Sequence, residues 1–106
     1  MPAYSVASLA ESDLQSIAQY TLRVWGRSQA KRYMHELHEC FQLLATSPMM
    51  GRPCDVLVQG LRRFEHGKHV VFYVLLADGV LIARVLHQQM IPEKQQFGGV
   101  PAAGGA

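Results

Sequence analysis

Between residues 62 and 87 the side chains able to hold an anion or move a proton are Arg62, Arg63, His66, Lys68, His69, Arg84 and His87, and no matching set of carboxylates accompanies them. Arg62, Arg84 and His87 together could hold a phosphate, but they lack a base–acid pair at fixed spacing. His87 follows an apolar run. There an imidazole serves as general base, metal ligand or contact residue, or else only bonds nearby backbone at a sheet rim. Lys and Arg are also common on exposed sheet faces, where they discourage edge pairing. The scarcity of acidic partners favours a contact role for the patch of Arg62, Arg63 and Lys68. Metal chemistry has weaker support: His35 and His38 lie three apart on one helical turn without a Cys or carboxylate at a recognised spacing, so no metal site is expected. Cys54 lies in a Pro-rich loop with only Arg52 nearby to lower its pKa, and Cys40 falls on an apolar stripe. No Gly-rich phosphate loop links a strand to a helix. Met49, Met50 and Met90 suit core filling or adaptable contact.

The elements that must position these groups can be read from periodicity. Val70 to Leu76 and Val80 to Leu86 are rich in β-branched and aromatic residues and flank Ala77-Asp78-Gly79. Asp-Gly between such runs signals a hairpin, with Gly supplying a positive φ. With the stretch from Leu61 to His66, the chain from 61 to 90 reads as a three-stranded meander. Upstream, Ala3 to Ala7 suits a short strand, and Ser8-Leu9-Ala10-Glu11 has the pattern of a capping box. Ala10, Leu14, Ile17, Ala18, Thr21, Val24 and Trp25 then recur at helical spacing, with Gly26 as the stop. Ser28 is the expected N-cap of a second helix. Its inner stripe is Ala30, Tyr33, Met34, Leu37, Cys40, Phe41, Leu44 and Ala45, and Ser47-Pro48 ends it. So short a link makes the helices an antiparallel hairpin. Each is apolar on one stripe only, so both pack on each other and on the sheet. Met49 to Gly60 reads as a crossing loop. Gln88 to Phe97 is polar and is expected to add little to the core.

Composition sets the outer limits. The chain has 106 residues, 49% of them hydrophobic, which fits one globular domain with one modest core. Its formal net charge of +2 gives no global polyanion binder; clustering would have to supply such binding. No apolar run reaches the roughly 20 residues of a bilayer span. No signal-peptide pattern opens the chain, and two cysteines make no disulfide framework, so a cytoplasmic location is expected. The domain is read as residues 1–97, with the Gly/Ala-rich segment 98–106 as a flexible tail.

One joint pattern is more specific. Leu9, Ala10, Asp13, Leu14, Ile17, Tyr20, Thr21, Trp25-Gly26, Gln29-Ala30 and Tyr33 are followed by Leu37, Phe41, Leu44-Ala45, Pro48 and Gly51-Arg52. Then come Gly60-Leu61-Arg62, His69-Val70, Phe72-Tyr73 and Val85-Leu86-His87. In this order and spacing, over about residues 4 to 92, the chain resembles the ParE-type toxins of the RelE/ParE superfamily, toxin halves of type II toxin–antitoxin pairs. The resemblance implies an α+β domain, a small antiparallel sheet in the order β-α-α-β-β-β packed against an N-terminal helix hairpin. It implies neutralisation by a ParD-like antitoxin, and inhibition of DNA gyrase, and hence of replication, by protein binding. No cofactor, membrane, or sequence-specific DNA contact by the toxin alone is implied. Target contact is then expected from the last strand and the segment after it, at Arg84, His87, Gln88 and Met90. The alternative is a ribosome-dependent mRNA endonuclease. RNA-cleaving relatives commonly carry a Tyr near the C-terminus, whereas no Tyr follows Tyr73 here. The modest total charge also argues against a ribosomal partner.

Overall fold

A computed structural model describes residues 3–90 and 92–98. The chain runs β1 (Ala3–Val6), α1 (Ser8–Trp25), α2 (Arg27–Thr46), a 3-10 turn (Pro48–Met50), β2 (Arg52–Pro53), β3 (Leu61–His66), β4 (His69–Leu76), β5 (Gly79–His87) and a second 3-10 turn (Pro92–Lys94). The strands form one sheet in the order β1-β5-β4-β3-β2. β1 lies parallel to β5, and the other pairs are antiparallel. The α+β architecture and the meander match expectation. The crossing loop adds the short β2, so the sheet has five strands. Residues 99–106 of the expected tail lie outside the described residues.

The apolar stripes of α1 and α2 dock on one sheet face. Ala10, Leu14, Ile17, Leu37, Cys40, Phe41, Leu44 and Ala45 meet Val71, Tyr73, Val80, Ile82 and Val85 there. Leu37, Phe41 and Leu44 have no exposed surface, and burying each such side chain stabilises by about 1.5–3 kcal/mol. The opposite face is covered as well. Val70, Phe72 and Val74 alternate with the helix-facing residues of β4 and pack with Cys54, Leu61, Ala83 and Leu86. Leu57, Val58 and Phe97 close this second layer, and the Phe97 ring meets Phe72 edge-on with centroids 5.3 Å apart. The segment 88–97 therefore does contribute to the core, contrary to its polar reading, through its one aromatic side chain. Two covered faces also explain why β4 and β5 read as nearly continuous apolar runs.

Local details depart from the expected capping. α1 begins at Ser8, with Ala7 at the N-cap and no side-chain cap. The Ala7 N–H is still bonded to the Ile82 carbonyl at 2.9 Å, so strand passes into helix with no residue to spare. Likewise α2 begins at Arg27, not after Ser28, because Gly26 (φ +91°) both ends α1 and opens α2. Gly79 does not supply a positive φ: the two-residue turn is Ala77-Asp78, and Gly79 already pairs with Leu76 and Ala3. A glycine is needed there because a Cβ would run into the Ala3 carbonyl as β1 closes on β5.

Candidate functional site

β1 covers β5 only as far as Ile82. Opposite Phe72 the register slips, Phe72 facing Arg84 and Tyr73 facing Ile82, so Ala83 is bulged. Beyond this point α1 takes over from β1. The Asp13 carboxylate accepts from the Val85 N–H at 2.9 Å and from Arg84 through Nε at 2.7 Å and Nη2 at 2.8 Å. Arg84 Nη1 donates to the Gln96 carbonyl at 2.8 Å. The guanidinium thus links α1, β5 and the C-terminal segment. The bond to Asp13 raises the Arg84 pKa against the opposing effect of burial.

Arg84 is 8% exposed, so it is not the unpartnered surface cation its sequence neighbourhood implies. Its neighbours in the expected target set differ. His87 is half-buried, while Gln88 and Met90 are exposed, Met90 to 39%. Their backbone is fixed by bonds from Gln88 N–H to the Lys68 carbonyl (2.8 Å) and from Met90 N–H to the His87 carbonyl (2.9 Å). His87 Nδ1 accepts from the Gln89 N–H at 3.1 Å. The last strand thus ends at half-buried His87, the following turn carries exposed Gln88 and Met90, and Arg84 is buried three residues earlier on β5.

His66 and His69, named from the sequence but not linked there to the helices, form a group with His87, Tyr33 and Glu36. The His69 and His87 rings meet edge to face, 5.5 Å between centroids. Tyr33 Oη lies 2.6 Å from His69 Nδ1, and His66 Nε2 lies 3.9 Å from Glu36. Burial lowers the His69 pKa to about 4, reinforced by His87 and then His66 and opposed by Asp13. Burial is also the main cause that raises the Tyr33 pKa, against a backbone bond from Lys68. A neutral His69 accepting the Tyr33 hydroxyl proton fits both shifts. The discernible signal was Tyr33 on the buried stripe, a polar tip needing a partner.

The expected basic patch is divided. Arg62 donates to the Gly51 carbonyl at 2.6 Å and so ties the crossing loop to β3. Arg63 pairs with Glu65 at 3.4 Å and lies over the Phe72 ring, 5.5 Å from its centroid. Glu65 also takes Arg52 at 2.6 Å, so the cations on this sheet do have a carboxylate. Lys68 is exposed in the turn beyond the far end of β3. Tyr73 is internal, its hydroxyl donating to the Pro48 carbonyl (2.6 Å) and accepting from the Gly51 N–H (2.9 Å). Burial pushes the Cys40 thiol up to about 11, which leaves it a protonated core residue. Among the described residues no group of three His, Cys, Asp or Glu could hold a metal ion, and no helix is long and apolar enough to cross a membrane.

Comparison with known proteins identifies the family from sequence and the same fold in a solved structure. The family described as ParE toxin of type II toxin-antitoxin system, parDE, matches residues 4–92. Toxin ParE1 of Caulobacter vibrioides is 41% identical over 90 residues, covering 85% of this chain and 93% of that protein. Toxin ParE1 of Mycobacterium tuberculosis is 35% identical over 88 residues, covering 82% and 90%. In three dimensions the fold resembles a chain of the chromosomal ParDE toxin–antitoxin system from P. aeruginosa, with a TM-score of 0.69, 20% identity, and coverage of 82% of this chain and 96% of that one. Sequence identity over nearly the whole domain and a common fold agree, and the chain belongs to the ParE toxin family of type II toxin–antitoxin systems.

Proposed function

We infer that this ParE-family toxin acts in the cytoplasm by binding a DNA gyrase subunit and blocking it, and that a ParD-like antitoxin neutralises it. The observation that carries contact over catalysis is the state of the groups a nuclease would use. The Tyr73 hydroxyl is internal, Arg84 is held in two bonds by Asp13, and Tyr33 and His69 are bonded to each other. At the end of β5 Gln88 and Met90 are exposed beside half-buried His87, a polar and adaptable surface suited to a protein partner. Arg84 then acts indirectly, tying the C-terminal segment to α1 through Gln96 and Asp13. Binding energy in such an interface is spread over several anchors, so His87→Ala and Met90→Ala each weaken gyrase inhibition by about 1–3 kcal/mol and neither abolishes it. The test sets a supercoiling assay with purified gyrase beside an RNA-cleavage assay on translating ribosomes. Unimpaired gyrase together with RNA cleavage that vanishes in His87→Ala would move the assignment to the endonuclease reading.

Two features support the helix hairpin and a sheet edge as the antitoxin surface. The inner stripe of α1 runs on past its buried part to Val24 and to Trp25, which is 66% exposed. β1 is an outermost strand of the sheet and has a strand neighbour only on its β5 side among the described residues. An amphipathic segment folding on binding would cover the stripe and the edge together. Hydrogen exchange should then show antitoxin-dependent protection within residues 8–46 and in at least one strand. Protection limited to residues 49–60 would refute this arrangement.

A further inference from the structure

Within the described residues of segment 88–97 the hydrogen bonds are local turn bonds: Met90 N–H to the His87 carbonyl, Gln89 N–H to His87 Nδ1, and Gln95 N–H to the Pro92 carbonyl at 3.0 Å. Chain of this kind opens easily unless its ends are held. Here both ends are held, and both holds lead to Asp13. At the near end the Asp13 carboxylate stands in for a strand as the partner of the Val85 N–H, two residues before β5 closes at His87. At the far end Arg84 Nη1 takes the Gln96 carbonyl, while Nε and Nη2 of the same planar group are held by the two Asp13 oxygens. Phe97, packed on Phe72, grips the next residue. Neither charge pairing nor core packing calls for the Gln96 bond, since the Arg84–Asp13 pair is complete without it and Gln96 is exposed. What it fixes is backbone, 12 positions along the chain from the side chain that makes it.

We propose that Asp13 and Arg84 are positioning residues for target contact: the carboxylate orients the guanidinium, and the guanidinium closes the chain between Gln88 and Gln96 into a loop that meets its partner already ordered. This rests on the reading of that segment as the gyrase contact and adds how the contact is prepared. An arginine suits the task because its fork is rigid and always charged. Two of its edges hold Asp13 and leave a further N–H aimed in a fixed direction, whereas a lysine ammonium has no such plane. Neither residue offers much surface to a partner directly, since the Arg84 and Asp13 side chains are only 10% and 13% exposed. The strut acts instead by ordering the loop before binding. A loop open at Gln96 has to be ordered at each encounter, and fixing a single backbone residue at that moment weakens affinity about 5- to 30-fold. The loss falls on the concentration needed, because only the competent fraction of toxin binds, and leaves the fully bound state unchanged.

The test combines Asp13→Asn with Arg84→Met in the full chain. The amide oxygen can still accept the Val85 N–H and both charges leave together, so the fold is retained and the hold on Gln96 is lost. Hydrogen exchange should accelerate at the bonded amides of Gln95 and Met90, with the helices protected as in wild type. In a supercoiling assay with purified gyrase the half-inhibitory toxin concentration should rise about 5- to 30-fold, with complete inhibition still reached at saturation. Phe97→Ala loosens the same end without touching the pair; it should move both readouts in the same direction, and it decides the matter if the double variant does not fold. Ile17→Val, a core change on α1, should lower the melting temperature and leave exchange in the segment and potency at wild-type values. Unchanged exchange at Gln95 and Met90, wild-type potency despite faster exchange, a lowered plateau, or an equal loss of potency in Ile17→Val would overturn the proposal. Wild-type toxin that leaves gyrase untouched would overturn the target reading alone. Potency is then read as the inducer concentration that halts bacterial growth, where the same order of variants is expected and equal potency overturns the positioning role.

Discussion

Asp13→Ala is the change expected to cost this fold most for a surface-proximal residue. The carboxylate accepts three hydrogen bonds, two from Arg84 and one from the Val85 N–H. The paired side chains are only 10% and 13% exposed. Removing one partner of a pair so placed leaves the other charge desolvated and uncompensated, at about 3–5 kcal/mol. That is a large part of the roughly 5–15 kcal/mol that holds a domain folded. At about 4–8 °C per kcal/mol for a chain of this size, the melting temperature should fall by at least ~12 °C. The loss should also be local. Arg84 would have no fixed orientation from which to hold the Gln96 carbonyl, so amide exchange in the C-terminal segment should accelerate before global unfolding. A companion variant separates charge from bulk. Asp13→Leu with Arg84→Met removes both charges, and such replacements are often neutral or stabilising. Its stability should exceed that of Asp13→Ala alone, a coupling that urea melts of the four corners of the cycle would measure. A fall below ~3 °C for Asp13→Ala, or strictly additive losses in the cycle, would refute a buried pair that organises this junction.

Acid should weaken the junction of α2 and the sheet. His69 titrates near 6.5 when unfolded and near 4 when folded, so its contribution is whole above about 6.5 and is lost as pH falls towards 4. At 1.36 kcal/mol per unit this amounts to about 3 kcal/mol, and urea melts of wild type and His69→Gln at neutral pH and near pH 4 should show the steeper loss in wild type. Gly79→Ala should cost about 2–4 kcal/mol and release β1, because the new methyl meets the Ala3 carbonyl; unchanged exchange protection at residues 3–6 would contradict this. Phe97→Ala should cost about 2 kcal/mol by uncovering Phe72, and a melting temperature equal to wild type would show that the second layer does not depend on it.

The helices and the meander were legible because each is written in a local period. The stripe on α2 from Ala30 to Ala45 is the buried one, with only Tyr33 and Met34 partly open, and Val70 to Leu76 is strand throughout its length. Periodicity misled only at Val24 and Trp25. They continue the stripe of α1 in sequence but are left exposed, Trp25 to 66%. A stripe states which face is apolar; it does not state where the opposing layer stops. The capping patterns at Ser8 and Ser28 failed for a related reason, since the flanking strand and Gly26 had already set the helix starts.

The site was harder to read because its partners are remote. Arg84 finds Asp13 across 71 positions, and His69 finds Tyr33 across 36. No local rule couples such residues, so Arg84 looked like a contact side chain when it is a buried strut. Arg62 is similar at shorter range, its guanidinium spent on the Gly51 carbonyl. The same letters on the hairpin have a different physical state. With no carboxylate between Leu14 and His35, none of Arg23, Arg27, Lys31 and Arg32 is in an ion pair among the described residues. Absence of acid over so long a stretch is itself a sequence signal. The fold adds that Arg62, Arg63 and Arg84 of the sheet are engaged within the molecule, whereas the hairpin cations are exposed.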